Sequence, residues 1–187
     1  MKSNFTKNPW KTLETTVPYS NPWISISHNK VINPAGGAGI YGVVQFKNLA
    51  VGILPLDEAY NTWLVGQYRY ALEQYSWEIP EGGSPKGTDP LESAKRELKE
   101  EVGLVAQEWQ PLLEIHTSNS VTDEYGIIYV AKNLRQEEAK PEDTEELQIK
   151  KLPFAEALQM VMNGIITDSM SIAAILKAKM WMDKGLL

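Results

Sequence analysis

GGSPKGTDPLESAKRELKEEVGL, residues 82–104, decides how this chain is read. Its glycine- and proline-rich opening reads as a loop, and a short helix with both ends marked follows it. Asp89 is a good N-cap, Pro90 suits the first helical position, and Glu92 is spaced to reach back in a capping box. Gly103 fits the left-handed residue just past the helix end.

At about 100° per residue, Leu91, Ala94, Leu98 and Val102 form one apolar stripe for packing on a core. Glu97, Glu100 and Glu101 share a neighbouring stripe. Like charges at these spacings cost an isolated helix on the order of a few tenths of a kcal/mol per pair. A solvated face would explain the glutamates taken alone. Beside a loop with exposed backbone groups, the same carboxylates suit a hard divalent cation such as magnesium.

With these residues in view, the stretch resembles the Nudix box, G-x5-E-x7-R-E-U-x-E-E-x-G-U, where U is a bulky aliphatic residue. Gly82, Arg96, Glu97, Leu98, Glu100, Glu101, Gly103 and Leu104 match at the required spacing. Thr88 departs from it, standing where the family has its first glutamate. The resemblance implies that Glu97, Glu100 and Glu101 are catalytic ligands of Mg2+, or of Mn2+, with Glu101 the most essential. It implies the backbone carbonyl of Glu81 as a further ligand. Arg96 is implied in a supporting role, orienting a box glutamate through a charged hydrogen bond. Thr88 cannot supply the missing charge, so reduced or metal-shifted activity is expected unless Thr88 caps the helix start or Glu92 or Glu78 compensates.

The composition is that of an ordinary globular protein, 43% hydrophobic and 22% charged over 187 residues, enough for one domain with a small subdomain. A net charge of -6 argues against a general nucleic-acid or acidic-membrane binder. Small anionic substrates stay open, because a bound metal reverses the local field. With no cysteine there is no disulfide, thiol nucleophile or cysteine-bound zinc. MKSNFTKNPWK lacks an apolar signal region and no run approaches membrane-spanning length, so a cytoplasmic location is expected.

Working outward, the polar first twenty residues, with Pro9 and Pro18, predict an extended arm. WISISHNKVIN, residues 23–33, alternates like a strand with a turn at Asn29–Lys30. The segment Pro34–Gly39 reads as a loop, and GIYGVVQF, NLAVGILPL and TWLVGQYRYAL as strands. After the box come strands in WQPLLEIHTS and EYGIIYVAKNL around the turn Ser118–Asp123, an acidic loop in RQEEAKPEDTEE, and a strand in LQIKKLPF. A helix then ends at Gly164. The last helix starts near Thr167 or Asp168, with Ile172, Ile175, Leu176 and Met180 on its packed side. This order predicts an α+β domain with a mixed sheet, and the resemblance implies an α/β/α sandwich over residues 51–187. Residues 1–50 resemble the extra antiparallel sheet of the ADP-ribose and nucleoside-diphosphate-sugar pyrophosphatases, implying a homodimer with a shared substrate site.

The same branch has a run Q-x-R…E-x-P-x-G, matched by Gln67, Arg69, Glu78, Pro80 and Gly82. It implies that Arg69 reaches a phosphate or the distal sugar and that Glu78, Gly82 and Gly83 bind substrate. TSNSVTDE, residues 117–124, resembles the branch's S-P-G-x-S-D-E turn and adds Asp123 and Glu124 to the substrate contacts. Asn119 and Ser120 replace its proline and glycine, and that proline marks ADP-ribose preference, so another sugar is favoured there. Trp10, Tyr19 and Trp23 are candidates for stacking on a base. The general base is sought among Glu138, Glu142, Glu145 and Glu146, the last two being best placed before LQIKKL. His28 and His116 read as structural.

The expected function is metal-dependent hydrolysis of ADP-ribose or a related nucleoside-diphosphate sugar to a nucleoside monophosphate and a sugar phosphate. Alternatives are another nucleoside diphosphate derivative (GDP-mannose, ADP-glucose, a dinucleoside polyphosphate, a coenzyme A derivative) or a weakened binding or regulatory module. The intact glutamates oppose the last.

Overall fold

The computed structural model describes residues 7–139 and 146–187. The chain divides into two compact units, one running up to Lys47 with Ser118–Glu124 added, the other comprising Asn48–Thr117 and Tyr125–Leu187.

The first unit is an antiparallel meander of β1 (Lys11–Ser20), β2 (Ile24–Ile32) and β3 (Ala38–Phe46). Lys11–Ser20 of the expected arm therefore forms an edge strand. Pro18 lies inside a register shift between Thr16 and Tyr19, which suits a residue that cannot donate to a ladder. No turn forms at Asn29–Lys30. The Asn29 side chain instead spans the sheet, donating to the Tyr41 carbonyl at 2.9 Å and accepting from Thr15 at 2.7 Å. The chain reverses at Asn33–Gly37, where the Asn33 side chain accepts from Ala35 N and Gly37 N, an Asx-type turn. Ser118–Glu124 docks on β3: Val44 N donates to Val121 O, and Asp123 Oδ1 accepts from Phe46 N at 2.7 Å.

In the second unit, β4 (Asn48–Pro55), β7 (Glu81–Pro85), β8 (Leu104–His116) and β9 (Tyr125–Gln136) form a mixed sheet ordered β7-β4-β9-β8, with β4 and β9 parallel. A second, antiparallel sheet is ordered β10-β5-β6, from β5 (Asn61–Arg69), β6 (Gln74–Glu78) and β10 (Gln148–Pro153). The tail of TWLVGQYRYAL leaves the strand as a 3-10 turn at Tyr70–Leu72.

Side chains alternate between the faces of a strand, and the packing follows that period. Val51, Ile53, Tyr129 and Ala131 pack with Ala94, Leu98 and Val102 of α1 (Pro90–Val102). Leu54, Ile128 and Val130 pack with α2 (Phe154–Met162) and α3 (Ser169–Met182). Helices thus cover both faces, giving the α+β, three-layer arrangement that the sequence predicts. The buried face of α3 differs from expectation: Met170, Ser171, Ala174, Ile175 and Ala178 are buried, while Leu176 and Met180 are exposed. Ile175 is buried as expected; Leu176 and Met180 turn outward, and Ser171, Ala174 and Ala178 share the buried face with Met170 and Ile175. Among the described residues, no helix is long and apolar enough to cross a membrane.

Candidate active site

The glycine-rich opening of the decisive stretch is mostly strand. Glu81, Gly82 and Gly83 pair with Gly52, Val51 and Ala50 of β4, which leaves Lys86–Asp89 as the connection to α1. Asp89 caps the helix by accepting from Leu91 N at 3.0 Å. Glu92 does not complete a capping box; it pairs with Lys95 at 2.7 Å. Gly103, at φ 69°, ends the helix in the left-handed conformation.

Glutamates on a helix normally stay in water, yet Glu97 is 8% exposed and Glu101 2%. Buried carboxylates need partners. Arg96 supplies two contacts from one guanidinium, to Glu97 at 2.6 Å and to Glu100 at 2.5 Å, and also reaches the Gly83 carbonyl at 3.2 Å. Arg96 thus ties two box glutamates to β7. Glu101 accepts from Glu81 N at 3.0 Å. The Glu97 carboxylate lies so close to Gly82 that a Cβ there would sit 2.0 Å from its Cδ.

A second group of side chains adjoins the first through Glu81. Ser171 Oγ accepts from Ile79 N at 2.9 Å and donates to Glu81 Oε1 at 3.2 Å, and Asp168 accepts from Ser171 N at 2.7 Å. Burial pushes the Glu81 carboxyl well above the usual carboxylate range, and the Asp168 charge, a hydrogen bond shared with Asp168 and the Glu78 charge push the same way against Arg69. Arg69 and Glu78, both expected to touch substrate, form a bidentate pair, with Arg69 Nε 3.0 Å and 3.1 Å from the two oxygens of a buried Glu78. Sequence reading had Asp168 only as a helix start and missed Ser171. The sole local signal was the capping spacing of Asp168 and Ser171.

Thr88 does not cap the helix. Its hydroxyl donates to the Pro85 carbonyl at 2.6 Å and lies 3.3 Å from Ser84 Oγ, which in turn accepts from Ser93 Oγ at 2.9 Å. Of the two carboxylates offered as substitutes for the family glutamate, Glu92 pairs with Lys95 and Glu78 with Arg69. A hydroxyl cluster joins the end of β7, the connection and the first turn of α1 in its place. Thr88→Glu is expected to raise turnover or shift the balance between magnesium and manganese. Steady-state rates in each metal measure this, and equal rates for both proteins would remove the idea that Thr88 limits the site.

Of the remaining candidates, Asp123 is engaged with Phe46 N and Glu124 N donates to Thr122 at 3.3 Å, both in the first unit. Glu146 is exposed and lines a cavity of about 320 Å³ with Gln67, Tyr68, Tyr75 and Gln148. Glu142 and Glu145 lie outside the described residues. In the first unit, Trp10 meets Tyr41 edge to face at 5.3 Å in a cavity of about 390 Å³ that Asn29 and Gln45 also line. Trp23 is exposed, and the Tyr19 hydroxyl accepts from Asn21. His116 stacks obliquely on Tyr125, and His28 is exposed on β2.

The family model described as the NUDIX domain matches residues 46–167, and that of the nucleoside diphosphate sugar hydrolase N-terminal domain matches residues 10–44. The chain belongs to the Nudix hydrolase family. It is 32% identical over 174 residues to an ADP-ribose pyrophosphatase of Mycobacterium tuberculosis, covering 91% of this chain and 83% of that protein. It is 32% identical over 167 residues to the methanol dehydrogenase activator of Bacillus methanolicus, covering 88% and 90%. A crystal structure of an ADP compounds hydrolase shares the fold, with a TM-score of 0.84, 21% identity, and coverage of 95% of this chain and 97% of that one.

Nudix hydrolases generally use divalent metals. In this Nudix chain the donor chemistry fits such an ion: Glu97, Glu100 and Glu101 offer hard oxygens, and the absence of a Cβ at Gly82 opens the space that the Glu97 carboxylate fills. Among the described residues, no three acidic or histidine side chains already converge in a metal-holding arrangement. Arg96 engages Glu97 and Glu100 while Glu101 faces Glu81 N.

Proposed function

We propose that this Nudix hydrolase cleaves the pyrophosphate bond of ADP-ribose or a related nucleoside-diphosphate sugar, using Mg2+ or Mn2+, and releases a nucleoside monophosphate and a sugar phosphate. The observation that carries the reading is the placement of Glu97 and Glu101, both buried, against β7 beside the Arg69–Glu78 pair. The matched N-terminal domain and the name of the M. tuberculosis relative point to the substrate class.

When bound by Glu97, Glu100, Glu101 and the Glu81 carbonyl, the metal would neutralise phosphoryl charge and lower the pKa of water. The chain's own residues do the rest. Arg96 holds two of the carboxylates in register. Arg69 presents a guanidinium, the group best shaped for phosphate oxygens, and Glu78 fixes its direction. Gly82, lacking a Cβ, leaves room for the Glu97 carboxylate against the β7 backbone. The attacking water gives its proton to a glutamate, Glu145 or Glu146, as its oxygen bonds to phosphorus and the bridging P–O bond breaks. The same reading makes the enzyme a cytoplasmic homodimer.

Asn119 and Ser120, replacing the Pro-Gly of the ADP-ribose-preferring turn, favour a second reading in which the distal group is a sugar other than ribose. A panel of ADP-ribose, ADP-glucose, GDP-mannose, a dinucleoside polyphosphate and coenzyme A, assayed in magnesium for nucleoside monophosphate release, tests both. Turnover of the sugar nucleotides above the rest is expected. Turnover of none, with ligand binding retained, would sink the hydrolase reading.

A further inference from the structure

Ser171 is fully buried on the face of α3 where Ala174 and Ala178 also pack. An alanine would fill that position equally well, so packing does not call for the hydroxyl. Its hydrogen bonds do. With one lone pair taken by the Ile79 N–H, the single Ser171 proton is directed to Glu81 Oε1. That holds the Glu81 residue whose own N–H meets Glu101 Oε2 at 3.0 Å. The Asp168 carboxylate accepts from Ser171 N and sets the helix turn that carries the serine.

We propose that Ser171 is a positioning residue of the hydrolytic site: it holds the Ile79–Gly82 segment so that the Glu81 peptide orients Glu101. The last helix is then part of the metal-site architecture, although none of its side chains is assigned to the metal. The inference rests on the metal-ligand reading of Glu101 given above. Residues that orient a metal ligand are worth about 10- to 100-fold in metal affinity when removed. Ser171→Ala leaves the buried Ile79 N–H without its acceptor and removes one of the hydrogen bonds that hold the Glu81 side chain.

The test is Mn2+ binding without substrate, followed by the electron paramagnetic resonance signal of free Mn2+, with thermal unfolding recorded for each protein. Ser171→Ala is expected to weaken Mn2+ binding about tenfold. Ile175→Val, which trims a buried residue of the same helix, is expected to keep wild-type affinity whatever its melting temperature. Wild-type affinity in Ser171→Ala, or an equal loss in Ile175→Val, overturns the positioning role. Should Ser171→Ala fail to fold, Glu81→Ala cuts the same link from its half-buried end and carries the same expectation. Glu101→Gln separates the two levels. If it binds Mn2+ like the wild type, the metal-ligand reading itself falls; if only it loses affinity while Ser171→Ala does not, the positioning role alone falls.

Discussion

Glu101→Gln is expected to lower turnover of the preferred nucleoside-diphosphate sugar about a hundred- to a thousandfold while the protein stays folded. Charge neutralisation by a catalytic metal is worth several kcal/mol, and about 1.4 kcal/mol corresponds to each tenfold in rate. Glu101 is 2% exposed and accepts from Glu81 N. Glutamine has nearly the same volume, and its amide oxygen can keep that hydrogen bond, so the substitution removes charge with little change in packing. The loss should therefore fall on kcat, with a melting temperature within a few degrees of the wild type. Activity within about tenfold of the wild type would show that Glu101 is a buried structural carboxylate and not a ligand.

Gly82→Ala should cost about a hundredfold in kcat/KM for a different reason. The added Cβ would lie 2.0 Å from Glu97 Cδ and 2.1 Å from its Oε1, far inside van der Waals contact, so the carboxylate must move. Arg96 holds that carboxylate at 2.6 Å and loses its alignment when it moves. A misplacement of about 1 Å near the reacting groups costs on the order of a hundredfold. Global stability should change little, because the displaced carboxylate moves towards water. A double-mutant cycle isolates the cause: in a Glu97→Gln background, Gly82→Ala should add almost nothing. A full additional loss there would mean that the alanine acts on the β7 backbone and not through Glu97.

The box helix was legible in the sequence because its signals are local. Asp89 and Gly103 bracket it, Ala94, Leu98 and Val102 recur at helical spacing, and all of them do what their positions predict. The strands of the core were legible for the same reason of period. Local signals also misled. Asn29–Lys30 has the composition of a turn, yet cross-strand hydrogen bonds from Asn29 carry β2 through it. The glycines at 82 and 83 look like loop residues, yet β4 offers them a ladder. On α3 the apolar spacing placed Ile175 correctly but not Leu176 and Met180, which are exposed while Ser171, Ala174 and Ala178 are buried.

Residues 82–104 alone determined that carboxylates would be presented from one helix face beside a glycine-rich segment, because caps, periodicity and spacing are properties of neighbouring residues. Tertiary structure decided that Glu97 and Glu101 would be buried, that Arg96 would tie Glu97 and Glu100 to β7, and that hydroxyls would occupy the place of the missing glutamate at Thr88. It also brought Ser171 to Ile79 and Glu81 from 92 and 90 residues away. Hydrogen bonds across such separations leave no periodic trace in the chain; they exist only once the sheet and its last helix have packed.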